Sequence, residues 1–308
     1  MFRPLSIALL ALLVLLGAAA GAWAQTATTV SDPLFANLGL PELVLTATPD
    51  GLTLSQDYIP AGRYLVILDD QSGDDPFPPF IEFLRLAPED ADTSDAYCND
   101  GLPPHCFAWY TRVYLPGGVA ADAPRAVLDL KAGEYGLWGA GILRGRPAAR
   151  LTVTGDATTA VSGPEPDGAV FIIAPDAGGE GYAIRVEGTL RSGRHLVQVV
   201  NAADRPFSLY ARQYPGPITV DAVATMRANM RNASMEPDGA TPGPDALDPD
   251  LFQRVGFSIT QSLGAQQWVV LDLAPGQVYL AGYYPVSFTP STGDSQLGIA
   301  VVVPVKAS

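Results

Sequence analysis

The residues of this chain best suited to chemistry are two cysteines and two histidines, and three of these four lie close together. Cys98 and Cys106 bracket a short segment that ends in His105. In an exported protein, such a cysteine pair favours a disulfide. A catalytic Cys106–His105 pair is the sharper alternative, but adjacent residues of an extended strand point to opposite faces. We therefore predict a Cys98–Cys106 disulfide and no cysteine nucleophile.

Other catalytic patterns are absent from the sequence. No Gly-x-Ser-x-Gly turn presents a serine, and no glycine-rich loop between a strand and a helix is placed to hold phosphate. The second histidine, His195, lies in an apolar strand far from His105, so we predict no metal site. Paired carboxylates occur at Asp74–Asp75 and Glu89–Asp90, and such pairs serve glycosidases. An exported carboxylate-dependent enzyme acting on polysaccharide therefore stays as the alternative function.

The first 24 residues have the pattern of a secretory signal peptide. Arg3 supplies the positive end, an apolar run follows over Leu5–Leu16, and Ala22-Trp23-Ala24 forms a small-x-small cleavage site before Gln25. An uncleaved membrane anchor is the alternative, which is disfavoured because the apolar run is shorter than the roughly 20 residues that a spanning helix needs. We predict cleavage between Ala24 and Gln25 and a secreted, periplasmic or cell-envelope protein.

The chain is acidic, with a formal net charge of −14 at pH 7. This charge repels phosphate backbones and anionic lipid surfaces, so the sequence disfavours a nucleic-acid partner. The acidic residues are spread through loops, for example at Asp69–Asp70, so solubility explains them better than a binding role does. No later segment is long and apolar enough to span a bilayer, which predicts no stable membrane insertion after signal removal.

Two stretches of the sequence occur twice in the same order. GRYLVILDD at 62–70 returns as GRHLVQVVN at 193–201, and VLDLKAGEY at 127–135 returns as VLDLAPGQV at 270–278. The spacing is too long for a solenoid repeat and has the size of a domain. We therefore predict two copies of one domain, with these boundaries: a leader over 25–40, a first sandwich over 41–154, a linker over 155–168 and a second sandwich over 169–308.

Short β-rich segments separated by Gly, Pro and Asp clusters fill both copies, which is typical of an all-β sandwich. One helix is predicted, from Thr219 to Asn232, because apolar residues recur there at three- and four-residue steps. The predicted strands are 43–46, 62–68, 80–86, 107–114, 126–130, 134–138, 150–154, 169–173, 182–186, 195–200, 207–213, 257–261, 268–273, 278–283 and 297–303.

Each copy resembles a cupredoxin-like domain, the Greek-key β-sandwich of blue-copper proteins, and the second copy is the closer match. Such a resemblance implies two cupredoxin-like sandwiches in tandem, with a short helix inserted in the second. It is carried by Gly193–Asn201 running into Ala-Ala-Asp, the helical insert over 219–232, Val255-Gly256, the run from Gly264 to Gly276, Val278–Pro285 and Leu297-Gly298-Ile299.

The resemblance also implies where copper ligands would stand. Copper-binding relatives use one His after the Asn-containing strand, and Cys, His and usually Met on the loop joining the last two strands. The first position falls near Pro206-Phe207 in the second copy and Phe77 in the first. The loop positions fall within Tyr283–Gly298 and Trp138–Arg146, which contain no Cys, His or Met. We therefore expect no copper cofactor.

Aromatic residues stand at the sandwich ends in place of metal ligands. Such side chains suit recognition of a carbohydrate, a peptide or another exported protein, although core packing is the alternative for each of them. We predict a copper-free, non-catalytic binding or interaction protein whose partner is an exported protein or a carbohydrate. The predicted binding surface consists of Phe77, Phe80, Trp109, Tyr110, Trp138, Tyr210, Tyr283 and Tyr284.

Overall fold

The computed structural model describes residues 32–73, 79–86, 113–140, 149–155, 164–166, 168–178, 181–226, 247–285 and 295–308. The chain divides into two compact units, 1–37 and 38–308. In the described part of the first unit, the backbone N–H of Leu34 donates to the Asp32 carboxylate, and the N–H of Phe35 donates to the Asp32 carbonyl, which makes a turn. All the strands belong to the second unit in the described part of the chain.

The second unit is built almost entirely from β-strands, which confirms the all-β prediction. The described strands are β1 Glu42–Thr48, β2 Gly51–Leu54, β3 Tyr58–Pro60, β4 Gly62–Asp70, β5 Phe80–Arg85, β6 Tyr114–Ala120, β7 Arg125–Leu130, β8 Gly133–Ala140, β9 Ala149–Thr154, β10 Ala169–Pro175, β11 Tyr182–Gly188, β12 Gly193–Asn201, β13 Phe207–Gln213, β14 Gln253–Gln261, β15 Gln266–Leu273, β16 Gly276–Pro285 and β17 Ser295–Val305.

One large sheet contains strands from both repeated segments. Its order is β11-β10-β12-β15-β7-β4-β1-β2, so β7 of the first segment pairs with β15 of the second at its centre. Outward from this centre the two sides have the same pairings: β4 and β12 run antiparallel to the central strands, and β1 and β10 run parallel to β4 and β12. The hairpin partners β2 and β11 form the two edges.

Two smaller sheets form the opposite layer. The five-stranded sheet has the order β3-β9-β8-β5-β6, and the four-stranded sheet has the order β14-β13-β16-β17. Buried side chains of all three sheets belong to one hydrophobic cluster, for example Leu45, Phe83 and Leu280. The core therefore lies between the large sheet and the two smaller ones, as in a β-sandwich.

Alternating side chains explain why these strands face the core. In β13, Phe207, Leu209, Ala211 and Gln213 are buried, whereas the residues between them are half-buried. This period of two places one set on the core face and the other on the outer face of the sheet. In contrast, β4 is buried along nearly its whole length, so both of its faces are covered.

Three elements differ from the sequence prediction. Strand β6 was not predicted beyond Tyr114, and it continues through Pro116-Gly117-Gly118. Residues 107–112 of the predicted strand over 107–114 lie outside the described residues. Proline is tolerated there because β6 is the edge strand of its sheet. The short strands β2 and β3 were not predicted, since four and three residues give too little alternation to recognise.

The described part of the predicted helix is a helix at 220–226, here called α1, and residues 227–232 lie outside the described residues. A short 3₁₀ turn at Pro249–Leu251 precedes β14. No helix among the described residues has the length and apolar character needed to cross a membrane. The signal segment with its Ala24–Gln25 cleavage site, the cysteine pair Cys98–Cys106 and most of the predicted linker lie outside the described residues, so these remain predictions.

Candidate functional site

The end of β12 is held by one fully buried asparagine. The Nδ2 group of Asn201 donates to the carbonyl oxygens of Arg205 at 2.8 Å and Gln261 at 2.6 Å. Its Oδ1 atom accepts the backbone N–H of Ala203 at 2.9 Å. These three bonds fix the turn that leads from β12 to β13, and this turn is where the resemblance places the first copper ligand of the second copy.

Phe207 occupies that position, and its side chain is fully buried. The Tyr182 ring meets it edge-on, with the ring centroids 5.2 Å apart. Gly282 also lies close to the ring, since an added Cβ atom there would come within 3.5 Å of the Phe207 ring and 2.7 Å of Ile299. A phenylalanine ring has no donor for a metal.

The remaining candidate ligands do not assemble around this position in the described residues. No group of three or more His, Cys, Asp or Glu side chains there is placed to hold a metal ion. The Nε2 atom of His195 lies 3.1 Å from the carbonyl oxygen of Ser192, at the start of β12 and far along the strand from Asn201. Phe77, His105 and the carboxylate pairs Asp74–Asp75 and Glu89–Asp90 lie outside the described residues.

The structure places four of the eight predicted surface aromatics, and three of them come together. Phe80 and Tyr210 both pack against the buried pair Ala120 and Ile259, although Phe80 belongs to the first repeated segment and Tyr210 to the second. The Tyr210 ring in turn meets the Tyr283 ring edge-on, with 5.0 Å between centroids.

The other predicted aromatics are not part of this group in the described structure. Trp138 packs in a separate cluster around Leu84 and Leu115. Tyr284 lies in β16, but its side chain is outside the described part, and Phe77, Trp109 and Tyr110 are outside it altogether.

A small cavity lies on the outer face of the four-stranded sheet. Tyr210 and Arg212 of β13 and Tyr279 and Tyr283 of β16 contribute its floor, and we call these four residues the tyrosine–arginine face. The cavity contains about 270 Å³ of empty space including its open mouth, and its inner part has room for about one water molecule. Its remaining lining residues are Val223, Met226, Phe252 and Ala281.

Strand alternation and strand register place the residues of this face together. Odd and even residues of β13 point to opposite sides, so Tyr210 and Arg212 lie outside while Leu209 and Ala211 enter the core. The register of β13 against β16 sets Arg212 beside Tyr279. Helix α1 then lies over this face, where Val223 and Met226 pack with Tyr279 in a second apolar cluster.

Two arginines face each other at the edge of this cavity. Arg212 is paired across the strands with Arg254 of β14. Arg254 forms an ion pair with Asp122 of the first repeated segment, and its guanidinium carbon lies 5.7 Å from the centre of the Tyr210 ring. Burial and the nearby charge of Arg254 both lower the pKa of Arg212, in that order of importance. Burial raises the pKa of the Tyr210 phenol, and Arg254 partly offsets this rise.

Buried polar contacts join the two repeated segments beneath this face. The hydroxyl of Thr260 in β14 donates to the buried Glu82 carboxylate in β5 at 2.6 Å. The side-chain amide of Gln267 donates to the carbonyl oxygen of Gly118 at 2.7 Å. The backbone N–H of Leu115 donates to the hydroxyl of Ser262 at 2.9 Å. The sequence analysis missed these contacts, because nothing local in the sequence shows which strands meet.

The arginines of the tyrosine–arginine face were also missed. Their signal in the sequence is weak but present: Arg212 stands in the alternating strand Phe207–Gln213, at a position whose neighbours on the same face are aromatic. A charged residue on an apolar outer face is uncommon enough to single out. Only the strand register reveals that Arg254 stands opposite.

Comparison with known proteins finds matches to this chain among solved structures. No protein-family model matches it, and no curated protein matches it significantly. A multicopper oxidase is 13% identical, with 86% of this chain and 88% of that chain covered and a TM-score of 0.22. A copper nitrite reductase from Nitrosomonas europaea is 13% identical, with coverages of 86% and 93% and a TM-score of 0.23.

An auracyanin from the photosynthetic bacterium Roseiflexus castenholzii covers less of the chain. It is 19% identical, spans 44% of this chain and 95% of its own, and has a TM-score of 0.24. Two of the three are named as copper proteins. Identities and TM-scores this low carry no argument about what this chain does.

Proposed function

We propose that this protein is a copper-free, cupredoxin-like protein of the cell envelope or extracellular space, made of two tandem sandwiches, that binds a ligand or partner without catalysis. The signal-like N-terminus supports export, and the repeated segments with matching strand pairings support the duplication. The observation that carries the proposal is the fully buried Phe207 ring at the first ligand position.

Packing at this position argues against copper more strongly than the loss of a single ligand would. A blue-copper site needs imidazole nitrogens and a thiolate in a fixed arrangement. Phe207 supplies none of these, and Tyr182 and Gly282 close around its ring. The loop from Tyr283 to Gly298 adds no His, Cys or Met to replace them. These residues therefore do not support a copper electron-transfer function.

The tyrosine–arginine face supports a ligand-binding function instead. Tyrosine and arginine are the residues most enriched at recognition surfaces, because each combines a broad packing surface with hydrogen-bond donors. Here Tyr210, Arg212 and Tyr283 line one cavity that is partly open to solvent. Three of the predicted aromatics thus gather at the junction of the two segments.

Copper binding is tested on the purified mature chain after incubation with Cu(II) and with Cu(I) under reducing conditions. We expect no stoichiometric copper by elemental analysis and no intense visible charge-transfer band. The His105→Ala and His195→Ala variants serve as controls for incidental binding at the two histidines of the chain. Stoichiometric copper with an intense visible band would overturn the copper-free proposal.

Binding without turnover is tested by incubating the protein with envelope and extracellular polysaccharide fragments. We expect a retained ligand to be recovered with unchanged mass. Fragment cleavage that disappears when a single Asp or Glu is replaced would instead favour the polysaccharide-active enzyme.

A further inference from the structure

Arg212 carries a positive charge that nothing in the described part of the chain neutralises. Its side chain is half-buried in the tyrosine–arginine face, and no described carboxylate forms an ion pair with it. The residue paired with it across the strands is Arg254, which has the same charge. Asp122, the acidic residue at this edge, is already paired with Arg254.

This arrangement is unfavourable for the empty protein. Like charges directly opposite each other destabilise a strand pair, and partial burial of an unpaired cation adds a desolvation cost. A structural role for Arg212 would require a partner that compensates both effects. An anion placed over the face would compensate them, because it would accept hydrogen bonds from the guanidinium and weaken the repulsion from Arg254.

We propose that Arg212 and the surrounding tyrosines Tyr210, Tyr279 and Tyr283 bind the carboxylate group of an acidic sugar. This inference rests on the binding function proposed above and names its ligand class. The planar guanidinium matches a carboxylate in a two-bond geometry. One carboxylate oxygen fits the inner part of the cavity, which has room for about one water molecule. The half-buried rings of Tyr210 and Tyr283 beside it then offer flat surfaces for the sugar ring.

The competing source of the anion is the chain itself. Glu236, Asp238 and Asp245 lie between α1 and β14, in the part of the sequence outside the described residues. A carboxylate from this segment would give Arg212 an internal ion pair and leave no site for a sugar. The two alternatives predict opposite changes in the Tm of the unliganded protein when Arg212 is replaced.

The test measures binding of trigalacturonate by isothermal titration calorimetry, with fully methyl-esterified trigalacturonate as the neutral reference and sodium acetate as a free carboxylate. We expect the full-length mature protein to bind trigalacturonate, to lose affinity as salt increases, and not to bind the ester. Binding of acetate as tight as that of trigalacturonate would overturn the sugar part of the inference.

Arg212→Gln should weaken trigalacturonate binding about tenfold or more, since a charge-assisted bond is lost. Arg212→Lys should lose part of the affinity, because it keeps the charge without the planar fork. The control Arg185→Gln removes an exposed arginine from β11 and should bind as the unmodified protein does.

Stability distinguishes the internal partner from the ligand. Without ligand, Arg212→Gln should raise Tm by about 1 to 3 °C, because it removes the repulsion from Arg254. A lower Tm in Arg212→Gln, reproduced by the triple variant Glu236→Gln, Asp238→Asn and Asp245→Asn, would establish the internal ion pair and overturn the inference. Failure to bind trigalacturonate would overturn it too, while leaving the copper-free binding proposal to its own tests.

Discussion

Ala126 of β7 is paired with Val269 of β15, and these two residues hold the same place in the two repeated segments, directly before VLDL in each. Antiparallel pairing of equivalent positions relates β7 and β15 by a local two-fold rotation. The order of the large sheet has the same two-fold symmetry. Counted inward from its two edges, the strands are β11, β10, β12 and β15 on one side and β2, β1, β4 and β7 on the other. Each copy therefore covers the strand edge that the other would otherwise expose to solvent.

We predict that stability requires glycine at position 118 in β6, because the backbone there packs closely against neighbouring strands. An added Cβ atom there would collide with the carbonyl oxygen of Ile81 and lie 3.1 Å from the Ile259 side chain of the second segment. Gly118→Ala should lower the free energy of unfolding by about 1 to 3 kcal/mol, measured by urea denaturation. Gly178→Ala is the control, since nothing lies within 4 Å of an added Cβ there. Equal stability of the two variants would contradict the close approach.

The Glu82–Thr260 hydrogen bond is predicted to stabilise the junction between the two segments. Thr260→Val keeps the shape of the side chain and removes the hydroxyl that donates to the buried carboxylate. The free energy of unfolding should fall by about 2 kcal/mol, as expected for a lost hydrogen bond to a charged group. The control Thr53→Val changes an exposed threonine of β2 and should stay within about 0.5 kcal/mol of the unmodified protein. A neutral Thr260→Val would show that Glu82 does not depend on this bond.

The strands could be predicted because their signals are local. Alternating or continuous apolar runs located the segment 207–213 correctly at both ends, and the repeated VLDL segments located β7 and β15 to within a few residues. The part of β6 after Tyr114 was not predicted, because Pro116-Gly117-Gly118 normally interrupts a strand. Only the tertiary contacts of Gly118 explain why glycine is needed there.

The candidate site could be predicted only in part. Tyr210 and Tyr283 were singled out because aromatic residues stand where ligands were expected. Arg212 and Arg254 could not be predicted as a pair, because they meet across strands that are about forty residues apart in sequence. Pairing of that range depends on the whole sheet, which no local pattern encodes.

Asn201 is predicted to be essential for the turn before Phe207. Asn201→Ala leaves two carbonyl oxygens and one backbone N–H without their side-chain partner, so the free energy of unfolding should fall by about 3 kcal/mol. Asn201→Asp keeps the Oδ1 acceptor but turns a carboxylate oxygen toward the carbonyls of Arg205 and Gln261, and it should be at least as unstable at pH 7. Urea denaturation gives both values. An Asn201→Asp variant as stable as the unmodified protein would show that the two Nδ2 bonds contribute little.

Buried tyrosines are predicted to make the protein lose stability in alkali. Burial and the charge of Asp129 raise the pKa of the Tyr114 phenol to about 12, with Arg85 acting in the opposite direction. Burial also raises the pKa of Tyr135. Between pH 10 and 12 the folded protein therefore holds protons that the unfolded chain releases, so the free energy of unfolding falls as the pH rises. Each such tyrosine contributes at most about 1.4 kcal/mol per pH unit.

The Tyr114→Phe variant isolates this effect, because phenylalanine keeps the ring that Lys131 contacts at 4.3 Å and removes the ionising hydroxyl. Urea denaturation at pH 9, 10 and 11 should show a shallower loss of stability in Tyr114→Phe than in the unmodified protein, with the two proteins differing least in slope below pH 10. Tyr58→Phe, which changes a side chain that is 64% exposed, should follow the unmodified protein. An identical slope in Tyr114→Phe would mean that the Tyr114 phenol ionises as readily in the folded chain as in the unfolded one.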